Sequence, residues 1–265
     1  MSSMKERIVR SSQELLGKVI IETITPVMRR AFEEGGCVGI ARKTFDILHA
    51  RPDYLHESDP AFELDRRRLN SEPGLIISNH PGPGDCPSVL NALDRRDLKF
   101  LVAEEAIKQE KLSSIIPEDM ILGATKDLGK LRLVKRAIIE HIRSGGAVFY
   151  FPTGMEKAQG KTSFASLFGA LLREIPVESM VYAFKINAGD LRKVASKGTF
   201  AARSSADFIL PDFIKPITKL GEPSVIHVDE KYTQGRYWLE NFKQSGRPRT
   251  ELNNVMTEYY EALFK

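Results

Sequence analysis

His80 and Asp85, separated by Pro81-Gly82-Pro83-Gly84, are the pair in this chain whose types and spacing best suit proton-transfer chemistry. A carboxylate hydrogen-bonded to one imidazole nitrogen fixes the tautomer and orientation, and leaves the other nitrogen to take a proton from a bound hydroxyl or amine. The neighbouring residues direct the acid back toward the base. Leu75-Ile76-Ile77-Ser78-Asn79, after Gly74, reads as a buried strand, and the two Pro-Gly dipeptides that follow force tight turning. Cys86 to Leu93 reads as a helix, with Asp85 at or just before its N-cap and Pro87 in the first turn. The plain alternative is a turn histidine beside a helix-capping aspartate, and spacing alone does not separate the two.

A second strand exit lies further along. A helix of the pattern Leu131, Val134, Ile138, Ile142 stops at Ser144-Gly145-Gly146, and the apolar run Ala147-Val148-Phe149-Tyr150 then ends in Phe151-Pro152-Thr153-Gly154. In α/β proteins ligands bind beyond the carboxyl ends of such strands, so both turns are expected to border one crevice.

Asn79-His80-Pro81-Gly82-Pro83-Gly84-Asp85 resembles the N-H-x-x-x-x-D signature of the glycerolipid (lysophospholipid) acyltransferase superfamily, to which 1-acyl-glycerol-3-phosphate acyltransferase belongs. Phe151-Pro152-Thr153-Gly154 stands in the place of the F-P-E-G block, and Glu174-Ile175-Pro176-Val177 in that of the V-P-I or V-P-V block. Roughly seventy residues separate the first two blocks and about twenty the last two, an order and separation harder to meet by chance than any one motif. Phe100-Leu101-Val102-Ala103 and Ser224-Val225-Ile226-His227-Val228 are similar to further strands of the family, so the resemblance covers about residues 70 to 260.

The resemblance implies a central mixed sheet flanked by helices, with an N-terminal helical segment. It implies an enzyme of phospholipid biosynthesis that moves a fatty acyl group from acyl-carrier protein or coenzyme A to a hydroxyl of lysophosphatidic acid or a related glycerol phosphate. His80 and Asp85 would be the catalytic pair. Asn79, Lys126, Phe151, Pro152, Thr153, Gly154 and Lys157 would surround the substrate, with Lys126 or Lys157 meeting phosphate. The acyl thioester is a co-substrate, and neither a metal nor a bound organic cofactor is implied.

The chain departs from the family pattern around the acceptor. Thr153 stands for the glutamate of F-P-E-G, and Met155-Glu156-Lys157 replaces the usual T-R-S, so the arginine expected to contact phosphate is absent at its position. The block that usually carries a second arginine reads Ile121-Leu122-Gly123-Ala124-Thr125-Lys126-Asp127. An acceptor without phosphate, such as an amino-acid lipid or a glycolipid, is therefore the alternative substrate class, and a catalytically silent lipid-binding protein the alternative of another kind.

Composition is compatible with such an enzyme. The chain has 265 residues, 42% hydrophobic and 28% charged, long enough for a sizeable core. A net charge of +4 favours anionic lipid surfaces or phosphorylated substrates. Zinc spacing, an aromatic-and-basic recognition strand and an arginine-rich tail are all missing, which argues against nucleic acid. Two cysteines, Cys37 and Cys86, fit free thiols in a reducing compartment, with Cys86 a conceivable nucleophile beside Asp85.

The charged start, Met1 to Arg10, lacks a secretory signal, and no apolar stretch reaches the length of a spanning helix. The expected location is cytoplasmic or peripheral on the inner face of the membrane. Ser12 to Phe32 carries Leu15, Leu16, Val19, Ile20, Ile24, Val27, Met28 and Phe32 at helical spacing beside Lys18, Arg29 and Arg30. Such a helix can pack on its own domain, lie on a lipid surface, or do some of each.

Gly35-Gly36 is expected to end the first helix, a second runs near Ala41 to Ala50, and Pro52 to Asp59 with Ser71 to Gly74 reads as connecting sequence around Arg66-Arg67-Arg68. Strand-like and helix-like segments alternate from Gly74, favouring an α/β sheet between helices, closed by a helix within Arg249 to Phe264. The simplest division is an N-terminal helical segment over 1–68 and a catalytic domain over 69–265. The remaining histidines read as structural: His141 in a charged helix, His49 and His56 by a polar loop, and His227 on a strand where Asp229 could share its face. Lys130, Arg132, Lys135 and Arg136, with Lys126, form a cationic stretch that reads mainly as a solvated helix face.

Overall fold

A computed structural model describes residues 4–80, 85–104, 107, 112–125, 127–152, 166–187 and 223–265, without the side chains of 4–21, 61, 166 and 224. The chain runs through α1 (Met4–Leu48), β1 (Ala50–Tyr54), α2 (Pro60–Ser71), β2 (Gly74–Ser78), α3 (Asp85–Leu90), β3 (Leu98–Ala103) and β4 (Ile121–Ala124). It continues through α4 (Leu128–Arg143), β5 (Ala147–Tyr150), α5 (Ser166–Leu172), β6 (Met180–Asn187), β7 (Ser224–Gln234), α6 (Gly235–Gln244) and α7 (Leu252–Leu263).

The strands form one sheet in the order β1-β7-β6-β2-β5-β3-β4. β2 pairs in parallel with β5 and β6, and β3 with β5 and β4. β7 runs antiparallel to β6, and β1 parallel to β7, so the sheet is mixed. β2 and β5 are buried at every residue, which is why both read as unbroken apolar runs: a parallel strand covered on both faces has no wet side to alternate with.

Alternation along β2 divides the core in two. Ile76 turns to the face where Cys37, Ala41 and Phe45 of α1 pack with Phe149, Phe184 and Ile226. Leu75 and Ile77 turn to the other, against Ile138 and Ile142 of α4, Phe168 of α5, Trp238 of α6 and Met256 of α7. Each buried Leu, Ile, Phe or Met among these contributes about 1.5–3 kcal/mol relative to exposure. Helix α4 starts as its sequence dictates, the Asp127 carboxylate accepting the Gly129 and Lys130 N–H groups at 2.8 and 3.1 Å.

The break expected at Gly35-Gly36 is present as a kink between two helical limbs. Gly36 has φ 58° and ψ −144°, a conformation open to glycine, and helical structure resumes after it. Beyond the kink, a Cβ on Gly39 would lie 2.0 Å from the Ala31 carbonyl oxygen, so the two limbs of α1 touch through bare backbone.

Two expectations are corrected. Residues read as connecting sequence at Pro52 form part of β1, where Ala50 and Tyr54 are buried and Arg51 and Asp53 exposed. β1 is an edge strand, and proline is tolerated there. Arg66-Arg67-Arg68 lies within α2, which buries Leu69 and turns Arg66 inward to Glu230, at 3.1 Å. A division at 68/69 therefore falls inside a helix, and the strand before it belongs to the same sheet. Among the described residues no helix is long and apolar enough to cross a membrane.

Candidate active site

β2 delivers His80 to the carboxyl end of the parallel strands, and α3 begins with Asp85. His80 Nδ1 lies 2.5 Å from Asp85 Oδ2. The other carboxylate oxygen, Oδ1, accepts the Cys86 backbone N–H at 2.5 Å. Asp85 is 1% exposed and the His80 side chain 24%, so the acid is sealed while the base keeps an edge toward the exterior. A charge-assisted bond of this length, shielded from water, orients an imidazole far more firmly than an exposed ion pair.

Phe151 completes the setting. Its ring stacks on His80 with centroids 4.2 Å apart and planes 13° apart, and meets Phe149 edge-on at 5.0 Å. The parallel pairing of β2 with β5 makes this possible, because Ile77 stands opposite Tyr150 and both chains leave the sheet at the same end. Pro152 follows, buried. The two strand exits thus border one place, as their sequences imply. Lys126, Thr153, Gly154 and Lys157 lie outside the described residues.

The Asn79 carboxamide is held by the backbone of β6. The residue is 7% exposed, its Nδ2 donates to the Ile186 carbonyl at 2.9 Å, and its Oδ1 accepts the Ile186 N–H at 2.7 Å. Both ends of the carboxamide are engaged by β6 backbone. The block Glu174-Ile175-Pro176-Val177 precedes β6, at the end of the sheet opposite His80. A cavity lined by Pro73, Gly145, Pro176 and Ser179 is at that far end too, away from the imidazole.

Sequence reasoning missed Tyr260 on α7, whose hydroxyl accepts the Asn79 backbone N–H at 3.0 Å. In the sequence it stands among Leu252, Val255, Met256 and Leu263 and reads as core packing. The signal was the hydroxyl itself, since a buried tyrosine usually finds a polar partner.

His56, His141 and His227 each have a polar partner. His227 Nδ1 meets Asp53 Oδ2 at 2.9 Å, not Asp229. Asp229 instead meets His56 Nε2 at 3.2 Å and Lys231 Nζ at 3.6 Å. His141 Nε2 lies 2.6 Å from the Asp97 carbonyl. Both cysteines are free thiols, and burial pushes the Cys37 thiol up to about 11. Cys86 is half-buried and serves Asp85 through its backbone.

A mixed seven-stranded sheet flanked by helices, with a long N-terminal helix, is a fold also seen in a solved acyltransferase. The crystal structure of the 1-acyl-sn-glycerophosphate (LPA) acyltransferase PlsC from Thermotoga maritima is similar over 97% of this chain and 96% of that one, with a TM-score of 0.51. The two are 14% identical, a likeness that establishes the shared fold. No protein-family model matches the chain, and no curated protein does.

Proposed function

We propose that this protein is an acyltransferase that moves a fatty acyl group from acyl-carrier protein or coenzyme A to a hydroxyl of lysophosphatidic acid or a related glycerol phosphate. The observation that carries this reading is the 2.5 Å contact between His80 Nδ1 and buried Asp85 at a strand exit. Asp85 sets the ring so that Nε2 takes the acceptor's hydroxyl proton as the oxygen attacks the thioester carbonyl. The C–S bond then breaks, the thiolate leaves, and the proton held on His80 is available to it. Because a thiolate leaves readily, little acid assistance is needed. Phe151, flat against the imidazole, restricts its rotation and excludes water from one face.

Thr153 and the missing arginine near Met155-Glu156 favour a second reading within the same chemistry, with an amino-acid lipid or glycolipid as acceptor. The protein would work in the cytoplasm or at the inner membrane face, where lysolipid acceptors partition. A lysolipid panel with radiolabelled acyl thioesters tests both. Turnover of lysophosphatidic acid that falls about 10³-fold in His80→Ala supports the first reading. Turnover only of an acceptor lacking phosphate supports the second. Equal product from both forms, or none with any donor, would leave a lipid-binding protein without catalysis.

A further inference from the structure

The step from β2 to His80 is set by two buried side chains that move no proton of the reaction. Ser78 is in register with Phe184, and a continued parallel ladder would bring the Asn79 N–H directly to β6. Instead the Tyr260 hydroxyl stands between the strands, accepting that N–H at 3.0 Å and donating to the Phe184 carbonyl at 2.5 Å. Next to it, the Asn79 carboxamide does the work of a peptide group through its paired bonds to Ile186. The hydroxyl spaces β2 from β6 while the carboxamide keeps them tied. The backbone therefore leaves the sheet at the residue before His80, in a defined direction. Tyr260 is fully buried, where an unmade hydrogen bond is costly, so the arrangement is stiff. Packing alone would be served by phenylalanine, since Leu252, Val255 and Met256 already supply the apolar face of α7.

We infer that Tyr260, on the C-terminal helix, is a positioning residue for His80: its hydroxyl splays β2 from β6 and, with Asn79, aims the imidazole at Asp85. The inference rests on the reading of His80 as general base. It makes the last helix part of the catalytic apparatus without touching substrate.

The test compares Tyr260→Phe with Tyr259→Phe in the full chain; the Tyr259 ring packs on Trp238 at 4.6 Å, apart from the spacer. Nitrogen-15 spectra of the imidazoles, with His80 assigned by difference from His80→Ala, report its tautomer without requiring turnover. The expected result is a single Nδ1–H tautomer in the unaltered protein and in Tyr259→Phe, and mixed tautomers in Tyr260→Phe. In acyl transfer, kcat of Tyr260→Phe falls about a hundredfold with KM within about threefold, and its pH profile moves. An unchanged His80 spectrum and kcat in Tyr260→Phe would overturn the inference. Should that variant fail to fold, amide exchange in the unaltered protein decides: slow exchange at Asn79 and Ile186 supports the spacer, and exchange as fast as at frayed strand ends refutes it. A tautomer difference without acyl transfer in any form supports the positioning role and counts against the acyl-transfer reading alone.

Discussion

Histidine meets aspartate at the exit of β2 and again along the β1–β7 edge, with opposite consequences. At the exit, the acid is 1% exposed, the contact is 2.5 Å and an aromatic ring lies flat on the imidazole. At the edge, His227 and Asp53 are 51% and 52% exposed at 2.9 Å, and His56 shares Asp229 with Lys231. Water screens the exposed His227–Asp53 pair, so it behaves as an ordinary surface contact, while His56 and Asp229 are only partly covered. The residue types are identical. Burial of the acid and a stacked ring set the exit pair apart from the edge pairs.

That contrast can be broken most directly at the acid. Asp85→Asn keeps the shape but loses the preference for one tautomer, and should lower kcat of acyl transfer about 10³- to 10⁴-fold while leaving acceptor KM nearly unchanged. Phe151→Ala removes the stacked ring and opens one face of His80 to water. A rate loss of about tenfold is expected, with about 2 kcal/mol less stability in urea unfolding.

The edge carries its own buried acid, which sharpens the comparison. Glu230 accepts from Arg66 and from the Tyr232 hydroxyl, yet burial outweighs both and pushes its carboxyl above the usual carboxylate range. The native state then binds this proton more tightly than the unfolded chain does. Stability from Glu230 is therefore largest below the ordinary carboxylate pKa and declines as pH rises to the raised value. Urea midpoints measured across pH 4 to 8 should show that decline, and Glu230→Gln should flatten it. Smallest of all, His227→Ala should shift stability by no more than about 0.5 kcal/mol and leave acyl transfer unaltered. A tenfold loss of activity there would show that the edge pair takes part in the chemistry.

The sequence was most legible where one signal decided the structure. Unbroken apolar runs marked β2 and β5, and the Gly- and Pro-bearing sequence after each marked where the strands end. It was silent where a contact depended on distant chain. β1 is short and alternates Arg51 and Asp53 with Ala50 and Tyr54, so it looks like a polar connection until β7 supplies its partner. The parallel pairing of β1 with β7 also leaves no local mark, yet it sets Asp53 opposite His227. Asn79 sits inside a motif that points to substrate, and only coordinates show its carboxamide occupied by Ile186. Tyr260 was hidden by its neighbours, because five apolar or aromatic residues on one helical face say core and nothing about a hydroxyl.

Since β1 pairs with β7 alone and β7 is held on its other side by β6, trimming the chain to start at residue 69 would do more than remove an appendage. It would strip β7 of its outer neighbour and bare a long row of backbone donors and acceptors, a template for intermolecular pairing. It would also take away Phe45 and Leu48, leaving Ile226 and Val228 unroofed. The N-terminal segment is thus one side of the core that β2 and β5 share.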